Sequence, residues 1–475
     1  MAENPLAPAW LREPLDANGL APTLWSQSVT RDASGAIEVA GVSATDLAAR
    51  FGTPLYVCDE ADVLARATHI RTAFTREFAR VGSSAKVYYA AKAFLSSEIA
   101  RWVTSAGLNI DVASGGELAV VLAAGVDPAN LGFHGNNKSL AEIDRAVSIG
   151  VGVIVVDSVV EIGRIAHAAA RHGRIQSVRL RVNSGVHAHT HEYLATARED
   201  QKFGIALTEA EATVALIRDQ PSLEFLGLHS HIGSQIFGSD GFQEAASRLM
   251  AVHAALLAGG PVPELNLGGG FGIAYTSVDE ADSVDDMAAA LADIVAAEAQ
   301  RLGIPVPVVA IEPGRVIVGP STFTLYEVGT IKDVTVDGVA VRKYVSVDGG
   351  MSDNARTALY AADYSVRLAN RTSTADPALV RIAGKHCESG DLVVLADYLP
   401  GDVSPGDLVA VPATGAYCWS LSSNYNYLGR PPVVAVRDGH ARVIVRGETE
   451  ADLLSRDAGL DTVSAHPLSE SNGPA

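Results

Sequence analysis

Eight short β-rich runs, each followed by a polar or glycine-containing turn and then a helical run, predict a (β/α)8 TIM barrel of class α/β. After Arg315 the character changes. Apolar or alternating runs between Gly and Asp turns predict a second, mainly antiparallel β-barrel domain. A length of 475 residues fits two or three domains at roughly 100–200 residues each.

The first runs of the barrel end at Tyr88-Tyr-Ala-Ala-Lys92, Asn109-Ile-Asp111, Leu131-Gly-Phe-His134 and Val153-Ile-Val-Val-Asp157. The remaining four end at Val178-Arg-Leu-Arg-Val-Asn183, Leu226-Gly-Leu-His-Ser-His231, Leu265-Asn-Leu267 and Val308-Val-Ala-Ile-Glu312. Between them, Ser96–Gly107, Leu140–Gly150, Val159–His172 and Asp285–Leu302 carry apolar residues at helical spacing. An open doubly wound sheet is the structural alternative. It would carry fewer strands and one Gly-rich fingerprint after its first strand, which is missing here.

In the second region, Phe323-Thr-Leu-Tyr-Glu-Val, Arg342-Lys-Tyr-Val-Ser-Val, Leu392-Val-Val-Leu, Leu408-Val-Ala-Val and Ala441-Arg-Val-Ile-Val read as strands. The resulting organisation is an N-terminal segment (1–53) that packs on the β domain through Ala36-Ile-Glu-Val-Ala, and a cofactor-binding barrel (54–315). A β domain (316–456) and a flexible tail (457–475) follow.

The formal net charge of -19, from 36 basic and 55 acidic residues, argues against nucleic acid as a partner, because phosphate binding needs clustered Lys and Arg. Cys58, Cys387 and Cys418 are odd in number and widely spaced, which suits neither a disulfide framework nor a zinc site. A reducing compartment is the simpler reading. With no signal-peptide pattern at the N-terminus and no apolar stretch long enough to span a bilayer, a cytoplasmic protein without a membrane partner is expected.

Catalytic residues of such barrels sit at the carboxyl ends of the strands. Lys92, Asp111, His134, Asn183, His231 and Glu312 all fall there. One polar strand end is ordinary capping, but six around one mouth exceed what stability needs. Lys92 closes an apolar run, where its amine can form a Schiff base; a lysine snorkelling from a strand end is the plainer alternative. Gly268-Gly269-Gly270 follows the seventh run, and Glu312-Pro313-Gly314-Arg315 follows the eighth, the usual position of a barrel phosphate site, with Ser234 and Arg315 as further donors. An amine, a phosphate cradle, an imidazole (His231) and a carboxylate (Glu312) together suit pyridoxal 5'-phosphate. No metal is expected: His187, His189 and His191 lack a carboxylate cluster, and the loop Ser184–Gln201 reads as a lid.

With these residues assembled, the chain resembles the fold-type III pyridoxal-phosphate-dependent decarboxylases, most closely those acting on meso-2,6-diaminopimelate. The motifs are Tyr89-Ala-Ala-Lys-Ala-Phe94, His229-Ser-His-Ile-Gly-Ser-Gln235, Gly268-Gly-Gly-Phe-Gly272, Glu312-Pro-Gly-Arg315, Asp348-Gly-Gly-Met-Ser-Asp-Asn-Ala-Arg356, Cys387-Glu-Ser-Gly390 and Thr414-Gly-Ala-Tyr417. They run from about Phe51 to Leu454. The resemblance implies an alanine-racemase-like architecture and decarboxylation to L-lysine and carbon dioxide, the last step of lysine biosynthesis. It implies that Lys92 carries the cofactor, His231 stacks on its ring and Glu312 pairs with its ring nitrogen. Gly268, Gly269, Gly270, Ser234, Pro313, Gly314, Arg315 and Tyr417 hold the phosphate or lie beside it, with Asp111 also near the cofactor. Arg315, Arg356, Tyr360 and Tyr417 face the substrate. Glu388 binds its distal ammonium and Cys387 returns a proton, both from the partner of a homodimer.

The residues alone support part of this. Arg356 and Tyr360 stand at i, i+4, on one face of a helical turn, and a guanidinium binds carboxylate bidentately. Alternatives are a surface Arg beside a Tyr, a packing cysteine at Cys387, and a capping role for Asp111. Competing functions are decarboxylation of ornithine, arginine or another basic amino acid, a racemase, and a catalytically silent homologue. Glu312 opposes the racemase, and Lys92, Glu312 and Cys387 together oppose the silent homologue.

Overall fold

The computed structural model describes residues 4–186, 202–338 and 340–462. Eight parallel strands close into a barrel: Ala85–Ala90, Asn109–Val112, Leu131–Phe133, Val153–Val156, Gln176–Asn183, Leu223–His229, Glu264–Asn266 and Val308–Ile311. Closure is carried by Val309 opposite Ala85 and Ile311 opposite Val87. The helices lie where their sequence periodicity places them, at Ser97–Ser105, Leu140–Ile149, Val159–Arg171 and Val284–Leu302. Ser139 and Glu142 form a capping box at the start of one, and Gly150, at φ +81°, ends it in the left-handed conformation that glycine adopts freely.

The lower part of the barrel interior holds charge. Arg179 is fully buried, with Nη2 2.6 Å from Glu264 and 3.1 Å from the Tyr88 hydroxyl. Lys86 donates to the other Glu264 oxygen. Burying the guanidinium is tolerable only because Glu264 faces it, so removing one partner costs more than the pair contributes. Glu264→Ala is expected to destabilise the fold by about 3–5 kcal/mol, read as a lower midpoint of urea unfolding at unchanged slope.

The second region is a nine-stranded, mainly antiparallel sheet. Its longest strand, Thr322–Val336, pairs antiparallel with Ala340–Val347, Leu408–Val411 and Leu55–Asp59. Two neighbouring pairings are parallel, Val433–Arg437 with Leu55–Asp59 and Ala340–Val347 with Pro377–Ala383. The sequence division puts residue 55 in the barrel unit, whereas Leu55–Asp59 is an inner strand of this sheet. All five residues are buried, which fits a strand covered on both faces. The helix Glu60–Arg80 then carries the chain to the barrel. Near the N-terminus, Leu24, Trp25, Ile37 and Val39 pack with Leu55, Phe323 and Val434 of the same sheet.

Among the described residues, no helix is long and apolar enough to cross a membrane. His187, His189 and His191, most of the expected lid and the chain from 463 onward lie outside the described residues.

Candidate active site

The mouth of the barrel is built by residues at the strand ends and just beyond them. The first strand stops at Ala90, and Lys92 lies in the 3-10 turn Ala91–Ala93. The reading of a lysine within a buried strand end is therefore corrected. Ala91 and Ala93 are buried while the Lys92 side chain is exposed towards a cavity, where its amine keeps hydration. Asp111 lies within the second strand, and His134 and Glu312 directly follow the third and eighth. His229 ends the sixth strand and His231 comes two residues later. Asn183 ends the fifth, but its side chain accepts the Gly185 N–H of its own loop.

Lys92, Asp111, His134, His231, Ser234 and Glu312 line a cavity of about 300 Å3. An adjoining recess of about 40 Å3 is bounded by Lys92, Gly270, Gly314, Arg315 and Tyr417. Pro313 is buried and lines neither, its carbonyl accepting the Ala90 N–H at 3.0 Å. A wider groove of about 540 Å3 over Thr68, His69 and Asp285 has no comparable convergence of groups.

Glycine is required in the cradle. A Cβ on Gly269 would stand 2.0 Å from the Glu312 carbonyl oxygen, and one on Gly270 2.3 Å from that of Gly233. Gly270 also has φ +105°. The turn therefore packs directly on the backbone at Glu312 and Gly233, an approach that a side chain at either position would block. Arg315 donates to Ser234 Oγ at 2.8 Å and to the Tyr275 hydroxyl, and its Cζ lies 4.7 Å from the centre of the Tyr417 ring. Arg356 is buried too, donating to the Tyr364 hydroxyl at 2.5 Å. Among the described residues neither guanidinium pairs with a carboxylate. Two buried cations without a counterion make a site for anions.

On the opposite wall Glu312 accepts from Asn266 Nδ2 at 2.7 Å. His229 Nε2 lies 3.0 Å and His134 Nε2 3.5 Å from its Oε1, neither aligned as a hydrogen bond. Burial opposes the Glu312 charge, but His229 and His134 outweigh it and hold this carboxyl well below the usual range. Burial also pushes His229 down to about 4 and keeps His231 well below its ordinary value. His231 Nδ1 accepts the Gly269 N–H at 3.3 Å, which leaves Nε2 as the protonated nitrogen. Burial raises Asp111, both of whose oxygens lack a hydrogen-bond partner. An ionised carboxylate, a neutral imidazole, a free amine and an anion cradle around one cavity fit pyridoxal phosphate in charge and in donor type.

Residues 61–319 match the family described as pyridoxal-dependent decarboxylase, pyridoxal binding domain. The diaminopimelate decarboxylase of Mycobacterium tuberculosis H37Rv is 51% identical over 444 residues, covering 92% of this chain and 98% of the relative. The chain belongs to the diaminopimelate decarboxylase family. The member from Bacillus subtilis is 42% identical over 90% of this chain and 96% of its own. A crystal structure of diaminopimelate decarboxylase from M. jannaschii in complex with L-lysine superposes with a TM-score of 0.84. That protein is 30% identical, and the match covers 91% of this chain and 98% of that one.

Diaminopimelate decarboxylase motifs account for four further residues of the sequence reading, and the fold distributes them unevenly. Arg356 begins the short helix Arg356–Tyr360 and turns inward, whereas Tyr360 is 40% exposed. Their i, i+4 spacing does not give them a common environment within one chain. Cys387 is exposed, its N–H donating to Asn426 Oδ1 at 3.2 Å. Glu388 lines a separate groove of about 470 Å3 with Met351, Leu359 and Tyr425. Neither residue lines the cavity that holds Lys92. Cys58 and Cys418 are buried.

Sequence reasoning gave no role to His229, Asn266, Tyr275, Tyr364 or Glu117. Glu117 lines the cavity, and burial raises its carboxyl. Its signal was masked, because Ser114-Gly-Gly-Glu117 reads as a helix start, and Ser114 does accept the Glu117 N–H.

Proposed function

We propose that this chain decarboxylates meso-2,6-diaminopimelate to L-lysine and carbon dioxide with pyridoxal 5'-phosphate, as a cytoplasmic homodimer whose sites are completed across the interface. The carrying observation is Arg356, a buried guanidinium with no carboxylate partner among the described residues, linked through Tyr275 to Arg315 at the phosphate recess. A substrate with a distal carboxylate answers that charge, and ornithine has none. The identity to curated diaminopimelate decarboxylases supports the same choice.

Bound in the cavity, pyridoxal phosphate supplies the electron sink for the bonding pair that carbon dioxide leaves behind. In this reading the Lys92 amine would hold the cofactor through its carbonyl carbon. Gly268, Gly269, Gly270, Ser234, Arg315 and Tyr417 cradle the phosphate, backed by Pro313 and Gly314. His231 packs on the ring. Glu312, kept ionised by its neighbours, holds a proton on the ring nitrogen, and Asp111 borders the same pocket. Arg315, Arg356 and Tyr360 orient the distal carboxylate. Cys387 and Glu388 come from the second subunit, Glu388 binding the distal ammonium and the Cys387 thiol delivering a proton to the α carbon. Their exposure, and their position away from Lys92 within one chain, support the dimer. The cytoplasmic placement rests on three unpaired cysteines.

The test is incubation of the purified protein and pyridoxal phosphate with meso-diaminopimelate, with the lysine resolved by chirality. Release of carbon dioxide with L-lysine as product is expected. Equal turnover of ornithine would overturn the substrate, and absence of carbon dioxide would favour a silent homologue.

A further inference from the structure

Cys418 closes a ring of hydrogen bonds around Arg356. The Arg356 Nη1 donates to the Tyr364 hydroxyl at 2.5 Å. That hydroxyl lies 3.5 Å from Cys418 Sγ, and Sγ in turn lies 3.5 Å from Asn354 Oδ1. Asn354 Oδ1 also accepts the Arg356 backbone N–H at 3.3 Å, which returns the ring to the residue where it began. All four residues are buried. Three of them belong to the stretch around the short helix Arg356–Tyr360, and the fourth directly follows Tyr417.

Only one arrangement of protons uses every contact in this ring. Arg356 donates through both its guanidinium and its backbone N–H. The Tyr364 oxygen takes the guanidinium proton, so its own proton goes to Cys418 Sγ. Asn354 Oδ1 can only accept, so the Cys418 S–H is directed there. Burial pushes the Cys418 thiol up to about 11, and it therefore keeps the proton that this bond requires. An apolar side chain at this position could fill the volume but could neither accept from Tyr364 nor donate to Asn354. Asn354 Nδ2 is buried without a hydrogen-bond partner among the described residues, so the amide is held through its oxygen. Fixing Nη1 sets the plane of the guanidinium, and bidentate contact with a carboxylate depends on that plane.

We propose that Cys418 is a positioning residue for substrate recognition, its thiol closing the ring that fixes the Arg356 guanidinium for the distal carboxylate. This rests on the functional reading above, in which Arg315 and Arg356 both meet that carboxylate.

The test compares Cys418→Ala and Cys418→Ser with the wild type. Cys418→Ala is expected to raise KM for meso-diaminopimelate about fivefold at saturating cofactor, the scale of one net hydrogen bond, with kcat within about twofold. Cys418→Ser keeps a donor and an acceptor, and its KM is expected within about twofold of wild type. Cofactor affinity, read by fluorescence quenching as pyridoxal phosphate is titrated into the stripped protein, is expected to be unchanged in both. Adding Cys418→Ala to Tyr364→Phe is expected to raise KM no further than Tyr364→Phe alone, because both break the same ring. Should Cys418→Ala fail to fold, as judged by circular dichroism, Cys418→Val replaces it. Equal KM values for the Ala (or Val) and Ser variants would overturn the proposal and leave Cys418 a packing residue. Additive effects in the double variant, or a loss of cofactor affinity that parallels the rise in KM, would overturn it as well. A wild-type protein that forms no lysine would defeat the functional reading instead, and the same Ala–Ser contrast, read with pimelate as a dicarboxylate titrant, would then decide the ring.

Discussion

Lys92→Ala is expected to lose the visible absorbance of the lysine-linked cofactor and to lower turnover of meso-diaminopimelate by on the order of 10³-fold or more, within the range for removing a positioned proton-transfer group. The size of the effect follows from the lack of a substitute amine at the cavity among the described residues. Lys138 is as buried as any lysine in the described chain, but its ammonium is committed to Glu161 at 3.1 Å and to the Gly135 and Val155 carbonyls at 2.7 Å. Lys86 is paired with Glu264 at the other end of the barrel. Lys202 has its Nζ 4.8 Å from the centre of the Phe203 ring, and Phe203 lines the cavity. It is itself exposed and does not line the cavity. Among the lysines of the described residues, Lys92 alone borders both the main cavity and the phosphate recess. Spectra and carbon dioxide release measured on the same preparation check this. A variant that keeps both the absorbance and full turnover would remove Lys92 from the site.

The barrel was legible because each unit repeats a local pattern. An apolar run of strand length, a turn and an amphipathic run can be read within about thirty residues, and closing the sheet follows from there being eight of them. Lys92, Glu312 and Gly268–Gly270 were legible for the same reason, since each occupies a known place within its unit. What stayed hidden depends on contacts across long stretches of chain. Tyr275 is an ordinary aromatic residue in a turn until Arg315, forty positions later, places a guanidinium on its hydroxyl. His229 reads as one residue of a strand end, and its effect on Glu312 arises only when strands six and eight come together around the barrel. Leu55–Asp59 has the composition of any buried strand, and its place between Thr322–Val336 and Val433–Arg437 is fixed by partners more than two hundred residues away in sequence. Tyr360 follows the opposite logic: helical spacing puts it on the Arg356 face, yet a helix of five residues turns one side chain into the core and leaves the other exposed.

Co-expressing Lys92→Ala and Cys387→Ala chains is expected to restore roughly a quarter of wild-type activity, although each variant alone is nearly inactive. The argument begins with exposure. Cys387 is exposed, and its backbone is anchored to Asn426 rather than to any residue of the Lys92 cavity. A thiol in that position cannot return a proton within its own chain, but a two-fold axis can bring it to the mouth of the second barrel. Leu359 and Tyr425, both exposed, surround Glu388 on the same face and would be covered by that contact. With random pairing half of the dimers are mixed. Each mixed dimer has one site lacking both residues and one site lacking neither. Cys387→Ala alone should lose on the order of 10²-fold or more, the usual scale for a missing general acid. Lysine formation by the co-purified mixture, set against each parent variant and against sedimentation of the dimer, decides the point. A mixture no more active than its parents, at equal dimer content, would place Cys387 and Lys92 of the same chain in one site or take Cys387 out of the chemistry.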